Sequence, residues 1–250
     1  MSIISIVNQK GGVAKTTTAI NLSSSLVSMG KKILLLDIDP QANMSQGIQF
    51  ERKESKTIYE VLIDDLPLSE AIHNTSIDNL DIIPSSISLA NAELELAGEL
   101  GRETLLREAI EDTTLSKYDY IIIDCNPSLG LLTVNALSAC KELIIPMEPS
   151  IFALEGIGQL VNVIKLIKRK INPQLEIKGV LLTRVDARTN IAIDFKEELE
   201  KVFGDKVFNT VIHQNVAVAQ AQIEELPVNL YDSKARSAKE YMSLAKELIK

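Results

Sequence analysis

The ten residues Gln9-Lys10-Gly11-Gly12-Val13-Ala14-Lys15-Thr16-Thr17-Thr18 constrain this chain more than any other stretch. Ahead of them, Ile3-Ile4-Ser5-Ile6-Val7 is short, β-branched and apolar, the make-up of a buried strand. Behind them, Ala19, Leu22, Leu26 and Val27 recur at helical spacing until Gly30 supplies a stop. A strand, a glycine turn and a Lys-Thr pair opening a helix converge backbone N–H groups on one point. Such a loop binds phosphate oxygens, with the lysine on the terminal phosphates and the following hydroxyl on Mg²⁺. The pattern Gly-x-x-x-x-Gly-Lys-[Ser/Thr] is not met, because Gln9 and Ala14 stand where its two glycines belong. An added lysine, Lys10, precedes Lys15 by five positions. Two lysines beside a glycine turn serve no packing purpose, which argues against a plain strand-to-helix connection.

Two further strand ends carry the acids that such a loop requires. Leu36-Asp37-Ile38-Asp39-Pro40-Gln41 closes an apolar run, and alternation puts Asp37 and Asp39 on one side. In an open α/β sheet, ligands sit beyond the carboxyl ends of the strands, so these acids face the phosphate loop. Tyr120-Ile121-Ile122-Ile123-Asp124 runs three isoleucines into an acid, the layout in which a strand-end aspartate holds a magnesium-bound water. Many buried strands end in Asp; the weight comes from the combination.

Short apolar strands alternate with amphipathic helices along the rest of the chain. Strands are predicted at Ile3–Val7, Ile33–Asp37, Leu80–Ile83, Tyr120–Asp124, Leu143–Pro146, Gly179–Thr183 and Val207–Ile212. Helical patterns fall near 15–29, 88–98, 102–112, 129–139, 155–171, 190–203 and 236–249. The fold class is therefore α/β, a mostly parallel twisted sheet with helices on both faces in three layers, as in P-loop NTPases. With 250 residues and 46% hydrophobic content, no linker and no repeat, residues 1–250 read as one domain. Within it, the helix at 155–171 and the C-terminal stripe of Tyr241, Leu244, Ala245, Leu248 and Ile249 read as core. A partner groove for the first and a membrane-binding face for the second are the rival readings.

Composition narrows the setting. A net charge of −8 gives no general attraction for a polyanion, so any nucleic-acid contact must be a local patch. Cys125 and Cys140 suit a reducing compartment, and His73 and His213 have no metal-ligand company. There is no basic n-region with an apolar run, and the apolar runs fall far short of the ~18 residues that span a bilayer. The expectation is a soluble cytoplasmic protein.

The sequence Lys10-Gly-Gly-Val-x-Lys-Thr16 resembles the deviant phosphate loop of the ParA/MinD family of ATPases, and its Gln-Lys-Gly-Gly-Val opening is most like the ParA side. The likeness to ParA/Soj-type partition ATPases extends through Leu129–Leu137, Phe152–Leu160, Asp186–Asn190 and Leu230–Asp232. It implies a Mg²⁺-dependent ATPase of slow intrinsic turnover that dimerises around ATP, is stimulated by a ParB-like protein, and binds DNA without sequence preference. Nucleoid association follows from the last property, and membrane binding is not expected. Residue by residue, Lys10, Lys15 and Asp39 would be catalytic, with Lys10 reaching the partner's nucleotide and Asp39 orienting the attacking water. Lys10, Gly11, Gly12, Val13, Ala14, Lys15, Thr16, Thr17 and Asn215 would hold ATP, with Asn215 near the adenine. Thr16, Asp37 and Asp124 would make up the Mg²⁺ shell.

Four departures from the family pattern stand out. Ala14 replaces a glycine, Asn126 replaces a proline, and His213-Gln214-Asn215-Val216-Ala217 stands where the family reads Pro-Arg-Asn-Val-Arg. Further on, Ala221-Gln222-Ile223-Glu224-Glu225-Leu226-Pro227 replaces a segment of the form Ala-Pro-Ser-x-Gly-Lys-Pro. Three cations of the family's DNA-facing surface are thereby absent, at Gln214, Ala217 and Leu226. Arg188 survives, and Lys168 with Arg169, flanked by Lys165 and Lys170 and joined by Arg184, are the candidates to replace them. The rival origin of that run is the favourable placement of cations at a helix C-terminus. Besides DNA segregation, the residues leave open a ParA-like protein that positions a protein assembly with little DNA binding. A metabolic P-loop enzyme is the third reading, and no acceptor-substrate site is legible for it.

Overall fold

The computed structural model describes residues 1–111, 113–188 and 191–249, with side chains at all of these but 113, 114 and 151–155. The ends of the sequence patterns at Asp112, at Thr189 and Asn190, and at Lys250 lie outside the described residues.

The chain opens with β1 (Ser2–Ile6), α1 (Lys15–Ser28) and β2 (Ile33–Asp37). It continues through the short helices α2 (Asn43–Gln46) and α3 (Ile58–Ile63) to β3 (His73–Asn74) and β4 (Leu80–Ile83). After α4 (Ala92–Glu95) and α5 (Leu105–Ile110) come β5 (Tyr120–Asp124), α6 (Leu131–Ala139), β6 (Glu142–Met147), α7 (Ile151–Lys170) and β7 (Glu176–Val185). The remainder is α8 (Ile191–Phe203), β8 (Val207–His213), α9 (Val216–Ile223), α10 (Val228–Tyr231) and α11 (Arg236–Leu248). The strands form one sheet in the order β3-β4-β2-β5-β1-β6-β7-β8, in which only the two-residue edge strand β3 runs antiparallel.

Alternation along the strands builds a core on each face. Leu34, Leu36, Ile121, Ile123, Leu143 and Ile145 point into the layer formed by α3 and α5 to α8. Ile33, Leu35, Ile122, Ile144, Ile4 and Ile6 point into the layer of α1 and α11. This two-sided burial is what near-continuous apolar strands require. In α7, Ile157, Leu160, Ile164 and Ile167 are buried, so its apolar stripe is core, as the spacing predicts. In α11, Tyr241, Leu244, Ala245 and Leu248 are buried against α1 and β8, so its apolar face packs inward, whereas Ile249, just past the helix end where the stripe runs out, is 40% exposed and is not core. Among the described residues no helix is long and apolar enough to cross a membrane.

β1 lies between β5 and β6, and the chain winds outward from it in both directions. The loop after β1 therefore opens at the point where the strand order reverses, the place where open parallel sheets leave a crevice.

Candidate nucleotide site

The loop from Asn8 to Ala14 is braced from below and from the side. Asn8 Oδ1 accepts from Lys10 N at 3.0 Å, and Asn8 Nδ2 donates to Pro146 O at 2.8 Å. Gln9 Nε2 donates to Gly156 O at 2.8 Å. From the end of β7, Thr183 Oγ1 donates to Val13 O at 3.0 Å and Arg184 donates to Gly12 O at 3.3 Å. With those carbonyls engaged from outside, the turn is free to present its N–H groups inward. Gly12 takes φ +77 and Ala14 φ 63, ψ 35, so the loop makes two left-handed turns on its way into α1. Glycine adopts this conformation freely, whereas a residue with a Cβ does not. Ala14 is thus a strained residue at the helix N-cap.

Gly11, Gly12, Ala14, Lys15, Thr16 and Thr17 line one cleft of about 1320 Å³ together with Asp39, Arg188 and Asn215. Lys15, nearly buried, donates from Nζ to Lys10 O at 3.2 Å. Burial lowers the pKa of its ammonium, while Asp124, Cys125 and Asp39 pull it back up. Lys10 leaves this cleft. With Val13 it lines a second one, of about 560 Å³, and its Nζ donates to Ser150 Oγ at 3.1 Å.

Beneath the loop, Asp37 and Asp124 are direct partners across the β2–β5 ladder, and both are fully buried. Asp37 is heavily satisfied: Oδ2 accepts from Ser45 N at 2.9 Å and from Ser45 Oγ at 2.7 Å, and Oδ1 accepts from Asp39 N at 3.1 Å. Burial still raises its pKa to about 6 against the pull of those donors. Burial also raises Asp124 well above its ordinary value, with Asp37 adding to the effect. Thr16 and Lys15 partly offset the rise, yet neither Asp124 oxygen has a donor at hydrogen-bond geometry. An unpartnered buried carboxylate beside a threonine hydroxyl and a second acid fits a cation. Among the described residues no group of three or more His, Cys, Asp or Glu could hold a metal by themselves. That suits Mg²⁺, which takes one or two carboxylates and completes its shell with water and substrate phosphate.

Asp39 accepts from Gln41 N at 2.9 Å in a turn that brings it to the cleft wall. Asn215 caps α9, its Oδ1 accepting from Ala217 N at 2.9 Å. Asn126, in place of the family's proline, is tied into its own loop: Nδ2 donates to Ser128 Oγ at 3.0 Å and Oδ1 accepts from Thr133 Oγ1 at 2.8 Å.

The three residues singled out for DNA do not form one patch. Arg188 follows the C-terminal end of β7 and pairs with Asp186 at 2.6 Å. Lys168 pairs at 3.1 Å with Glu176, the first residue of β7, and Arg169 is its neighbour on α7. A strand of 10 residues separates the two groups, roughly 30 Å at the usual rise. Grouping these cations by sequence overlooked that a parallel strand carries its two ends to opposite sides of the sheet.

Several contributors escape sequence reasoning. Ser45, the anchor of Asp37, follows it by eight residues in no motif. Gln222 Nε2 donates to Thr17 Oγ1 at 3.2 Å across 205 residues of chain. Ala42, with φ 53, repeats the left-handed strain of Ala14 in the loop after β2. Its only sequence signal is its place after the Asp39-Pro40 turn.

The comparisons with known proteins agree with this geometry. A family model described as an AAA domain matches residues 1–177. The chain is 48% identical over 247 residues to the sporulation initiation inhibitor protein Soj of Bacillus subtilis, covering 98% of this chain and 97% of that one. It is 44% identical over 249 residues to the chromosome partitioning protein ParA of Myxococcus xanthus, covering 99% and 88% of the two chains. A crystal structure described as cobyrinic acid a,c-diamide synthase of Mycobacterium smegmatis, with a bound ATP analogue and magnesium, superposes with a TM-score of 0.88 at 31% identity. That match covers 100% of this chain and 94% of that one. A phosphate loop with a buried lysine, a paired-acid floor and similarity to Soj and ParA over nearly the full chain leave one assignment: the chain belongs to the ParA/Soj family of partition ATPases, P-loop enzymes that use ATP and Mg²⁺.

Proposed function

We propose that residues 1–250 work as one ATP-operated switch in chromosome or plasmid segregation, acting from the cytoplasm and the nucleoid with a ParB-like stimulator. The observation that carries this reading is the division between two lysines. Lys15 lies in the cleft of its own phosphate loop, while Lys10, five residues earlier, leaves that cleft for the neighbouring one. A cation displaced from its own nucleotide serves a partner's nucleotide, as an arginine finger does, and so couples hydrolysis to assembly.

In this reading Gly11, Gly12, Val13, Ala14, Lys15, Thr16 and Thr17 cradle the phosphates and Asn215 borders the base. Thr16 and Asp124 hold Mg²⁺, which when bound neutralises phosphate charge. Asp37 adds its charge from behind, since both its oxygens already accept from Ser45 and Asp39. Asp39, at the cleft wall, orients the attacking water. Arg188, exposed on the cleft side of the sheet, meets DNA phosphates.

Light scattering after size exclusion, with and without ATP and Mg²⁺, tests the reading. The wild type dimerises only with ATP and Mg²⁺, the Lys10→Ala protein binds ATP without dimerising, and the Asp39→Ala dimer persists. Dimerisation and turnover left intact in Lys10→Ala would overturn the trans-lysine assignment. Rapid loss of the Asp39→Ala dimer would reassign Asp39 to binding.

A further inference from the structure

The loop after β2 is tied to α9 across the mouth of the cleft by groups that the phosphate cradle and the Mg²⁺ shell do not use. Arg52 is the knot. Its Nη2 faces three carbonyls of the segment before it, Ser45 O at 3.2 Å, Gln46 O at 3.4 Å and Ile48 O at 2.9 Å, which share its two N–H groups with Glu225. The guanidinium pairs with Glu225 Oε2 at 2.9 Å and lies 5.1 Å from the Phe50 ring centroid. Beside it, Gln49 Nε2 donates to Glu224 O at 3.0 Å. Arg52 and Glu225 both line the nucleotide cleft.

The pair, with side chains 43% and 37% exposed, contributes little to stability by itself. Glu225 is held at φ 55 by the turn that ends α9, in which Glu225 N donates to Gln222 O at 3.1 Å and Leu226 N to Ala221 O at 2.9 Å, so its carboxylate is fixed to the end of that helix. What separates this arrangement from an ordinary surface ion pair is that the contacts continue inward without a gap. Arg52 holds the Ser45 carbonyl, Ser45 N and Oγ hold Asp37, and Asp37 holds the N–H of Asp39. A run of consecutive hydrogen bonds thus joins the C-terminal end of α9, the helix that Asn215 caps, to the acid at the cleft wall.

We propose that Arg52 and Glu225 form a latch that holds α9 over bound nucleotide and relays its closure to the segment carrying Asp39. Arg52 is then a positioning residue for hydrolysis, and the inference rests on the nucleotide reading of the cleft. With the latch closed, the nucleotide is retained and Asp39 is fixed. With it open, α9 and the loop of residues 45–52 move independently.

Glu225→Gly provides a discriminating test, because it removes the carboxylate and the backbone strain together. The melting temperature stays level or rises, while stopped-flow release of mant-ADP with Mg²⁺ speeds by about three- to fivefold, the scale of one partly exposed charge coupling. Arg52→Ala speeds release equally, and the double variant is no faster than either single one. Release at the wild-type rate in both single variants would overturn the latch, as would additive effects in the double variant. Failure of the wild type to bind mant-ADP at all would instead overturn the nucleotide reading and the latch with it.

Discussion

Ala14 sits at φ 63 at the N-cap of α1, in the phosphate loop itself. Its methyl costs about 1 kcal/mol there, partly offset by the chain freedom that glycine adds to the unfolded state. Ala14→Gly therefore gains about 0.5–1 kcal/mol, seen as a rise of a few degrees in melting temperature. On the trans-lysine reading the Ala14 methyl also crowds the path of the partner's lysine, so the substitution changes dimer affinity or turnover more than ATP affinity. Equal changes in all three would mean that the methyl acts only through the loop backbone. Asp37 supplies a second residue-scale prediction. Its folded pKa of about 6 exceeds the ordinary 3.8, so the folded state binds the proton more tightly. Its contribution to stability consequently grows as pH falls through 6 toward 3.8 and is lost as pH rises. Calorimetry of the nucleotide-free protein should show the wild type gaining on Asp37→Asn across that interval. On the proposed role of these acids toward Mg²⁺, binding of ATP with Mg²⁺ should weaken over the same interval.

Elements were legible wherever burial enforces a period. Every strand expected from its apolar run is present within a few residues, because a strand covered on both faces admits little but Ile, Leu and Val. The pattern at 88–98 is not one helix: it breaks into two 3₁₀ turns around the four-residue α4. Leu94 is 79% exposed there, so no buried stripe holds a longer helix together. The helix α3 was missed although Thr57 and Glu60 form a capping box, a signal present in the sequence and easily passed over before so short a helix. The helix α9 is apolar on most sides, with Val216 73% and Ile223 80% exposed, and so shows no period to read. The C-terminal helix was legible because it is amphipathic, and its energetics follow from its buried face. Leu244 is fully buried between α11 and the α1 layer, so Leu244→Ala should cost about 2–5 kcal/mol. Urea denaturation measures that loss, and ATP affinity of the folded protein should stay unchanged because Leu244 does not line the cleft.

At the scale of the whole molecule, the placement of the site's residues was readable and their electrostatic surroundings were not. Motifs locate Lys15, Asp37 and Asp124 because strand ends converge by topology, whereas the neighbours of a surface cation depend on distant chain. Arg188 shows the consequence. It pairs with Asp186 yet keeps a side chain 87% exposed, on the same side of the sheet as the cleft, in a chain of net charge −8. Lys168 and Arg169 lie at the far end of β7, one of them already paired. If the ATP-bound dimer meets DNA with the cleft-side face, Arg188 from both subunits takes part and Lys168 and Arg169 do not. Each phosphate contact contributes a salt slope of about −0.9, so Arg188→Glu should flatten the slope by about 2 per dimer. A Lys168→Glu/Arg169→Glu variant should leave it unchanged. Fluorescence anisotropy on a random duplex, with ATP and across a salt series, reads both slopes. The reverse outcome would place DNA on the opposite end of the sheet. No ATP-dependent binding even at low salt would mean that the losses at Gln214, Ala217 and Leu226 have removed DNA as a track, leaving a partition-type switch that positions a protein cargo.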